Sequence, residues 1–118
     1  MRTILVILSF FTAALAAPAA LAHAFLDHAS PLVGSTIPAA PHEVTLWFTQ
    51  NLEPAFSTVA VTDSSGARVD QGKADVSANT MRIALKALGR GTYKVRWRAL
   101  SVDTHTTEGS FAFHVGGQ

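Results

Sequence analysis

The chain contains no cysteine among its 118 residues. Without thiols it has no disulfide bonds, no cysteine nucleophile, no iron–sulfur cluster and no cysteine-based zinc site. Charge is also scarce: 9 Lys and Arg against 8 Asp and Glu give a net charge of +1. Because nucleic-acid-binding surfaces are strongly basic, this balance argues against a nucleic-acid partner. The length permits one domain and excludes a (β/α)8 barrel, which needs about 250 residues.

Several common catalytic motifs are missing as well. The sequence has no HExxH helix, no glycine-rich phosphate loop and no GxSxG nucleophile elbow, so metalloprotease, nucleotide-dependent and α/β-hydrolase chemistry lack support. No stretch after the first 22 residues keeps a 3.6-residue apolar period, and amphipathic helices are therefore not predicted. Any function must come from residues outside these motifs.

Residues 1–22 are interpreted as a signal peptide. Arg2 is their only charge, an apolar run follows it, and Ala20-Leu21-Ala22 has the small-x-small pattern that signal peptidase cleaves. The alternative is an uncleaved membrane anchor, but the run is short for a membrane span and Pro18 lies near its end. We expect a periplasmic location.

Cleavage after Ala22 would leave residues 23–118 as a mature domain whose positive and negative charges balance, because Arg2 is removed. We expect this domain to be soluble and monomeric. Ala22-His23-Ala24 also fits the cleavage pattern, so a cut after Ala24 remains an alternative.

The mature domain is predicted to be all-β, an immunoglobulin-like Greek-key β-sandwich of about seven strands. Short alternating segments are separated by turn residues, as is typical of this architecture. The predicted strands are residues 24–26, 44–49, 58–62, 80–85, 93–98 and 110–115.

The clearest alternation places Tyr93 and Trp97 in the core, and Lys94, Arg96 and Arg98 on the solvent side. We interpret these three cations as the solvated face of a strand, with a face that binds anions or lipid as the alternative.

Two features could bind a metal ion. Cleavage after Ala22 would make His23 the first residue, which offers an α-amine and an imidazole to one ion. The amine has an ordinary pKa of about 7.7–8.0, so a metal can displace its proton near neutral pH. Asp103-Thr104-His105 lies in a polar stretch between two predicted strands. In an extended segment Asp103 and His105 point to the same side.

Nitrogen donors with one carboxylate suit Cu(II) better than Ca²⁺ or Mg²⁺, although Zn²⁺ accepts the same donors.

The other histidines are interpreted as surface or packing residues; these are His28, His42 and His114.

These residues resemble the copper resistance protein CopC family of periplasmic copper-binding sandwiches. The resemblance covers nearly all of residues 23–118. It is carried by His23, Ser30-Pro31, Val44-Thr45-Leu46-Trp47-Phe48, Leu52-Glu53-Pro54-Ala55-Phe56-Ser57, Gly91-Thr92-Tyr93-Lys94-Val95-Arg96-Trp97-Arg98 and Ser101-Val102-Asp103-Thr104-His105.

The resemblance implies a protein of copper homeostasis and resistance that is not an enzyme. It would bind one Cu(II) ion per mature chain through the His23 amine and imidazole, the Asp103 carboxylate and the His105 imidazole. The implied roles are copper sequestration or delivery to a CopD-like inner-membrane copper transporter.

Two departures from the family pattern stand out. Some members add a Glu ligand where this chain has Gln50, so we expect water or no ligand there. Some members carry a Met-rich loop for Cu(I), but residues 63–80 contain neither Met nor His, and Met81 is the only Met after residue 22. We therefore expect no separate Cu(I) site.

Two other functions remain open from the residues alone. One is a small copper enzyme with an N-terminal histidine brace, as in polysaccharide monooxygenases, although the chain is short for that class and offers no broad aromatic surface. The other is a sandwich that only contacts other proteins, with incidental histidines.

Overall fold

The structure is a computed structural model that describes residues 23–116. The expected signal peptide and its cleavage point fall on residues outside this range, as do residues 117–118. The described part contains a short 3-10 helix, Pro54–Phe56, and eight strands. The strands are β1 (Leu26–Ser30), β2 (Thr36–Ile37), β3 (Glu43–Phe48), β4 (Thr58–Thr62), β5 (Asp70–Ser77), β6 (Thr80–Leu85), β7 (Gly91–Leu100) and β8 (Thr106–Val115).

The strands form two four-stranded sheets that pack as a β-sandwich, which confirms the predicted fold class. The first sheet has the order β1-β3-β6-β5 and the second β2-β8-β7-β4. The chain crosses repeatedly from one sheet to the other, as in Greek-key sandwiches. Pairing is antiparallel throughout except for the two-residue β2, which runs parallel to β8.

The core lies between the sheets and is built by the predicted alternation. Along β7, Tyr93, Val95 and Trp97 are buried while the residues between them are exposed. Trp97 packs edge-on against Phe48 of the facing sheet, with ring centroids 5.1 Å apart. The two sheets therefore meet through large side chains, which substitute for disulfides in a domain of this size.

The predicted strands need several corrections. The short β2 was not predicted, β3 lies one residue earlier than predicted, and β7 is two residues longer at each end. The first strand begins at Leu26 rather than covering residues 24–26, because Ala24 and Phe25 bond to side chains and loops instead of forming a strand. The last strand begins at Thr106 rather than at residue 110. The edge strand β5 was not predicted, because Asp70–Ser77 is mostly polar and carries a register shift that disrupts alternation.

The outer faces of the sheets carry different charges. Lys94, Arg96 and Arg98 are exposed on the outer face of β7, with Glu108 opposite Arg98 on β8. The outer face of the first sheet exposes Glu43, and it also exposes Asp75 opposite Arg82. Within residues 23–116, no helix is both long and apolar enough to cross a membrane.

Candidate metal centre

The segment that carries His23 is held at one end of the sandwich. The Thr49 hydroxyl, just after β3, accepts a hydrogen bond from the Phe25 N–H (2.9 Å) and donates one to the His23 carbonyl (3.2 Å). The Thr49 N–H also donates to the Phe25 carbonyl at 2.9 Å. The Thr107 hydroxyl on β8 donates to the Ala24 carbonyl at 2.6 Å, and Ala24 is fully buried. His23 therefore lies in a segment that contacts both sheets.

The second candidate segment, residues 101–105, is a tight turn between β7 and β8. The Ser101 N–H donates to the His105 carbonyl and the Thr104 N–H donates to the Ser101 carbonyl, both at 2.9 Å. Thr104 adopts a left-handed conformation with φ of 73°, which closes the turn. Asp103 and His105 thus lie at the same end of the sandwich as the His23 segment.

The structure brings the three predicted ligands together in pairs. The imidazole rings of His23 and His105 lie with their centroids 4.5 Å apart and their planes inclined by 33°. The Nδ1 of His105 is 3.5 Å from Oδ1 of Asp103, and these side chains are 50% and 40% exposed. The donors are therefore neighbours that solvent and a metal ion can reach.

The Asp103 carboxylate is held in its ionised form. The hydroxyl of the fully buried Ser101 donates to Asp103 Oδ1. This bond lowers the pKa of Asp103 below its ordinary value; burial opposes the shift, and His105 adds to it. An ionised carboxylate is the form that binds a metal ion.

The donors are not arranged around one point. Among residues 23–116, no group of three or more His, Asp or Glu side chains is positioned to hold a metal ion as it stands. In the full chain His23 follows Ala22, so its nitrogen is a peptide nitrogen and not an amine. The side chains and their chemistry fit a copper ion, but the fourth donor would exist only after cleavage.

The remaining predicted residues lie elsewhere or play smaller parts. Gln50 is half-buried and follows Thr49 at the candidate end of the sandwich. His28 stacks on Trp47 with ring centroids 4.3 Å apart, His114 bonds Thr92, and His42 is exposed in the turn before β3. These three are surface or packing residues, as predicted.

Sequence reasoning missed three hydroxyl groups at this end of the sandwich. Ser101 bonds Asp103, while Thr49 and Thr107 bond the His23 segment. The only signal for Ser101 was its position two residues before Asp103. Nothing in the sequence connected Thr49 or Thr107 to the His23 segment. Thr49 is 26 residues from His23, and Thr107 is 83 residues from Ala24.

The described residues offer no exposed thioether for a soft Cu(I) ion. Met81 on β6 is fully buried in the core, and it is the only Met in residues 23–116. Thioether ligands select Cu(I), whereas imidazole and carboxylate donors suit Cu(II).

Comparison with known proteins identifies the family. Residues 26–116 match the family model described as the CopC domain. Copper resistance protein C of Pseudomonas syringae pv. tomato is 38% identical over 103 residues, which cover 80% of this chain and 81% of that protein. The crystal structure of PcoC, a methionine-rich copper resistance protein from Escherichia coli, superposes with a TM-score of 0.71 at 34% identity, and the match covers 80% of this chain and 99% of that one.

A third relative is much longer. Copper transport protein CutJ of Bacillus subtilis is 32% identical over 99 residues, which are 80% of this chain but 18% of that protein. The relatives are named for copper resistance and transport, which confirms the expectation that the protein is not an enzyme. Residues 26–116 match the CopC domain, and the relatives share both sequence and the sandwich fold. The chain therefore belongs to the CopC family.

Proposed function

We propose that the mature protein begins at His23 and binds one Cu(II) ion in the periplasm. The ligands are the His23 amine and imidazole, the Asp103 carboxylate and the His105 imidazole. The observation that carries the proposal is the contact of the His23 and His105 rings, 4.5 Å apart, beside Asp103. Nitrogen-rich donor sets with a carboxylate favour Cu(II) in a tetragonal arrangement.

Copper binding serves resistance, either by sequestration or by delivery to a membrane transporter such as a CopD-like protein. The similarity to part of CutJ, a protein named for copper transport, supports delivery. Two features favour access by a partner: the His105 and Asp103 side chains are 50% and 40% exposed, and Phe25, 46% exposed, lies beside His23 with ring centroids 5.7 Å apart.

The first test concerns processing. We expect the intact mass of the secreted protein to correspond to residues 23–118. Cleavage after Ala24 would remove His23, and it would also remove a buried alanine whose carbonyl bonds Thr107. A secreted protein that begins at Phe25 would contradict the proposed site.

The second test measures copper binding by the processed protein. Competitive Cu(II) titration should give one tight site, and electron paramagnetic resonance should show several nitrogen ligands. His105→Ala and Asp103→Asn should each weaken binding by tenfold or more, because each removes a donor. The matched control is His42→Ala, which removes an exposed imidazole just before β3, at the opposite end of that strand from Thr49. Unchanged binding and spectra in His105→Ala would overturn the proposed ligand set.

A further inference from the structure

We propose that Thr49 and Thr107 are positioning residues that hold His23 against His105 and thereby set the affinity of the copper site. The inference rests on the proposed function for its effect on copper, and on the geometry of the described residues for the positioning itself. Neither threonine is a proposed ligand.

Thr49 makes three hydrogen bonds to the segment that starts with His23. Its hydroxyl uses its single proton on the His23 carbonyl and accepts from the Phe25 N–H, and its backbone N–H donates to the Phe25 carbonyl. The hydroxyl therefore forms hydrogen bonds with the backbone on both sides of Ala24. Because Thr49 is exposed, its hydroxyl is not needed to fill the core.

Thr107 completes the attachment from the other sheet. Its hydroxyl donates to the Ala24 carbonyl at 2.6 Å, and Ala24 itself is fully buried. Thr49 follows β3 in the first sheet, whereas Thr107 lies on β8 in the second sheet. The two hydroxyl groups thus bind consecutive carbonyl groups, of His23 and Ala24, from opposite layers of the sandwich.

This attachment matters because two donors come from a chain terminus. A terminal residue is ordinarily mobile, and a metal that bound there would have to order it. Here the domain orders it in advance and holds its ring beside His105. Groups that orient metal ligands typically change metal affinity by 10- to 100-fold when they are removed.

The test uses processed protein with Thr49→Val and Thr107→Val, singly and together. Valine keeps the branched shape and removes the hydroxyl. We expect copper affinity to fall about tenfold in each single variant and further in the double variant, with a more heterogeneous paramagnetic resonance spectrum. Thr49→Ser should restore affinity to within about twofold of wild type, since it restores the hydroxyl. Thr36→Val, an exposed strand threonine on β2, is the matched control and should leave affinity unchanged.

A metal-free measurement separates this inference from the proposed function. Nuclear Overhauser contacts between the His23 and His105 ring protons should be present in the wild-type apoprotein and lost in the double variant. Slow exchange of the Phe25 amide proton should be lost in Thr49→Val. Retained ring contacts, or wild-type copper affinity in the double variant, would overturn the inference. If wild-type protein does not bind copper through His23, the proposed function fails. The ring contacts in the apoprotein then still decide whether the two threonines position His23.

Discussion

Gly109 is the residue on which Trp97 packs. The two residues are directly opposite on β8 and β7, and a Cβ atom at position 109 would lie 2.5 Å from Cζ2 and 2.7 Å from Cε2 of the Trp97 indole. The absence of a side chain therefore makes room for the largest ring of the core. This explains a glycine in the middle of a strand, where glycine ordinarily weakens the structure.

Gly109→Ala should lower the free energy of unfolding by about 1–3 kcal/mol, because the indole must move in a packed core. Urea denaturation measures the change. Gly89→Ala is the control, since a Cβ there meets no atom within 4 Å and the backbone is not left-handed. Equal stabilities of the two variants would show that the indole moves aside at no cost.

At the scale of elements, Asp70 connects β4 of the second sheet to β5 of the first. Its carboxylate accepts from the Val61 N–H at 2.7 Å and from two nitrogens of Arg68 at 2.9 Å each. The Asp70 side chain is only 4% exposed. Burial opposes its ionisation, but the bonds from Arg68 and Val61 outweigh burial and lower its pKa.

Asp70→Asn should destabilise the domain by about 1–3 kcal/mol. The new amide nitrogen cannot accept the hydrogen bonds that Val61 and Arg68 donate to the carboxylate. The pKa of Asp70 is lowered by folding, so its contribution is complete above the ordinary carboxyl pKa of about 3.9 and is lost as the pH falls through the lowered value. The stability difference between wild type and variant should therefore narrow in acid. Asp75→Asn, exposed on the same strand, is the control. A stability difference between wild type and Asp70→Asn that does not depend on pH would contradict an ionised Asp70 in the folded state.

The strands that could be predicted from the sequence are those with one buried and one exposed face. β4 and β6 match their predicted bounds, and β7 contains its predicted segment, because their apolar residues alternate against the core. β5 lies at an edge and buries little, so its polar sequence carried no alternation. The sequence alone gives no reason for Gly109 within β8, because the indole that needs its space is twelve residues away.

For the candidate site, the sequence predicted which residues could be ligands but not how they come together. Chemistry and cleavage pattern pointed to His23, and spacing pointed to Asp103 and His105. That these segments meet depends on the pairing of β7 with β8 and on contacts from Thr49 and Thr107. Such contacts join residues far apart in the chain, and local patterns do not encode them.

For the whole molecule, copper at the proposed site should stabilise the fold. It would join the His23 segment, which Thr49 and Thr107 attach to both sheets, to Asp103 and His105 in the turn after β7. A ligand that binds only the folded state at 100 times its dissociation constant stabilises it by about 2.7 kcal/mol.

In a domain of this size such stabilisation raises the melting temperature by about 10–20 °C. Thermal unfolding with and without Cu(II) measures this shift. A processed protein carrying one extra residue before His23 should show a much smaller shift, because its amine is displaced. Equal shifts in both proteins would show that copper stabilises the fold through other donors.

The unequal charges of the two sheet faces give the domain an electric dipole. On one face Lys94, Arg96 and Arg98 outnumber Glu108, while the other exposes Glu43 and Asp75 with Arg82. A dipolar molecule turns in an electric field. Near an anionic surface the domain would rotate its β7 face inward, and that rotation would set the angle at which the end bearing His105 arrives.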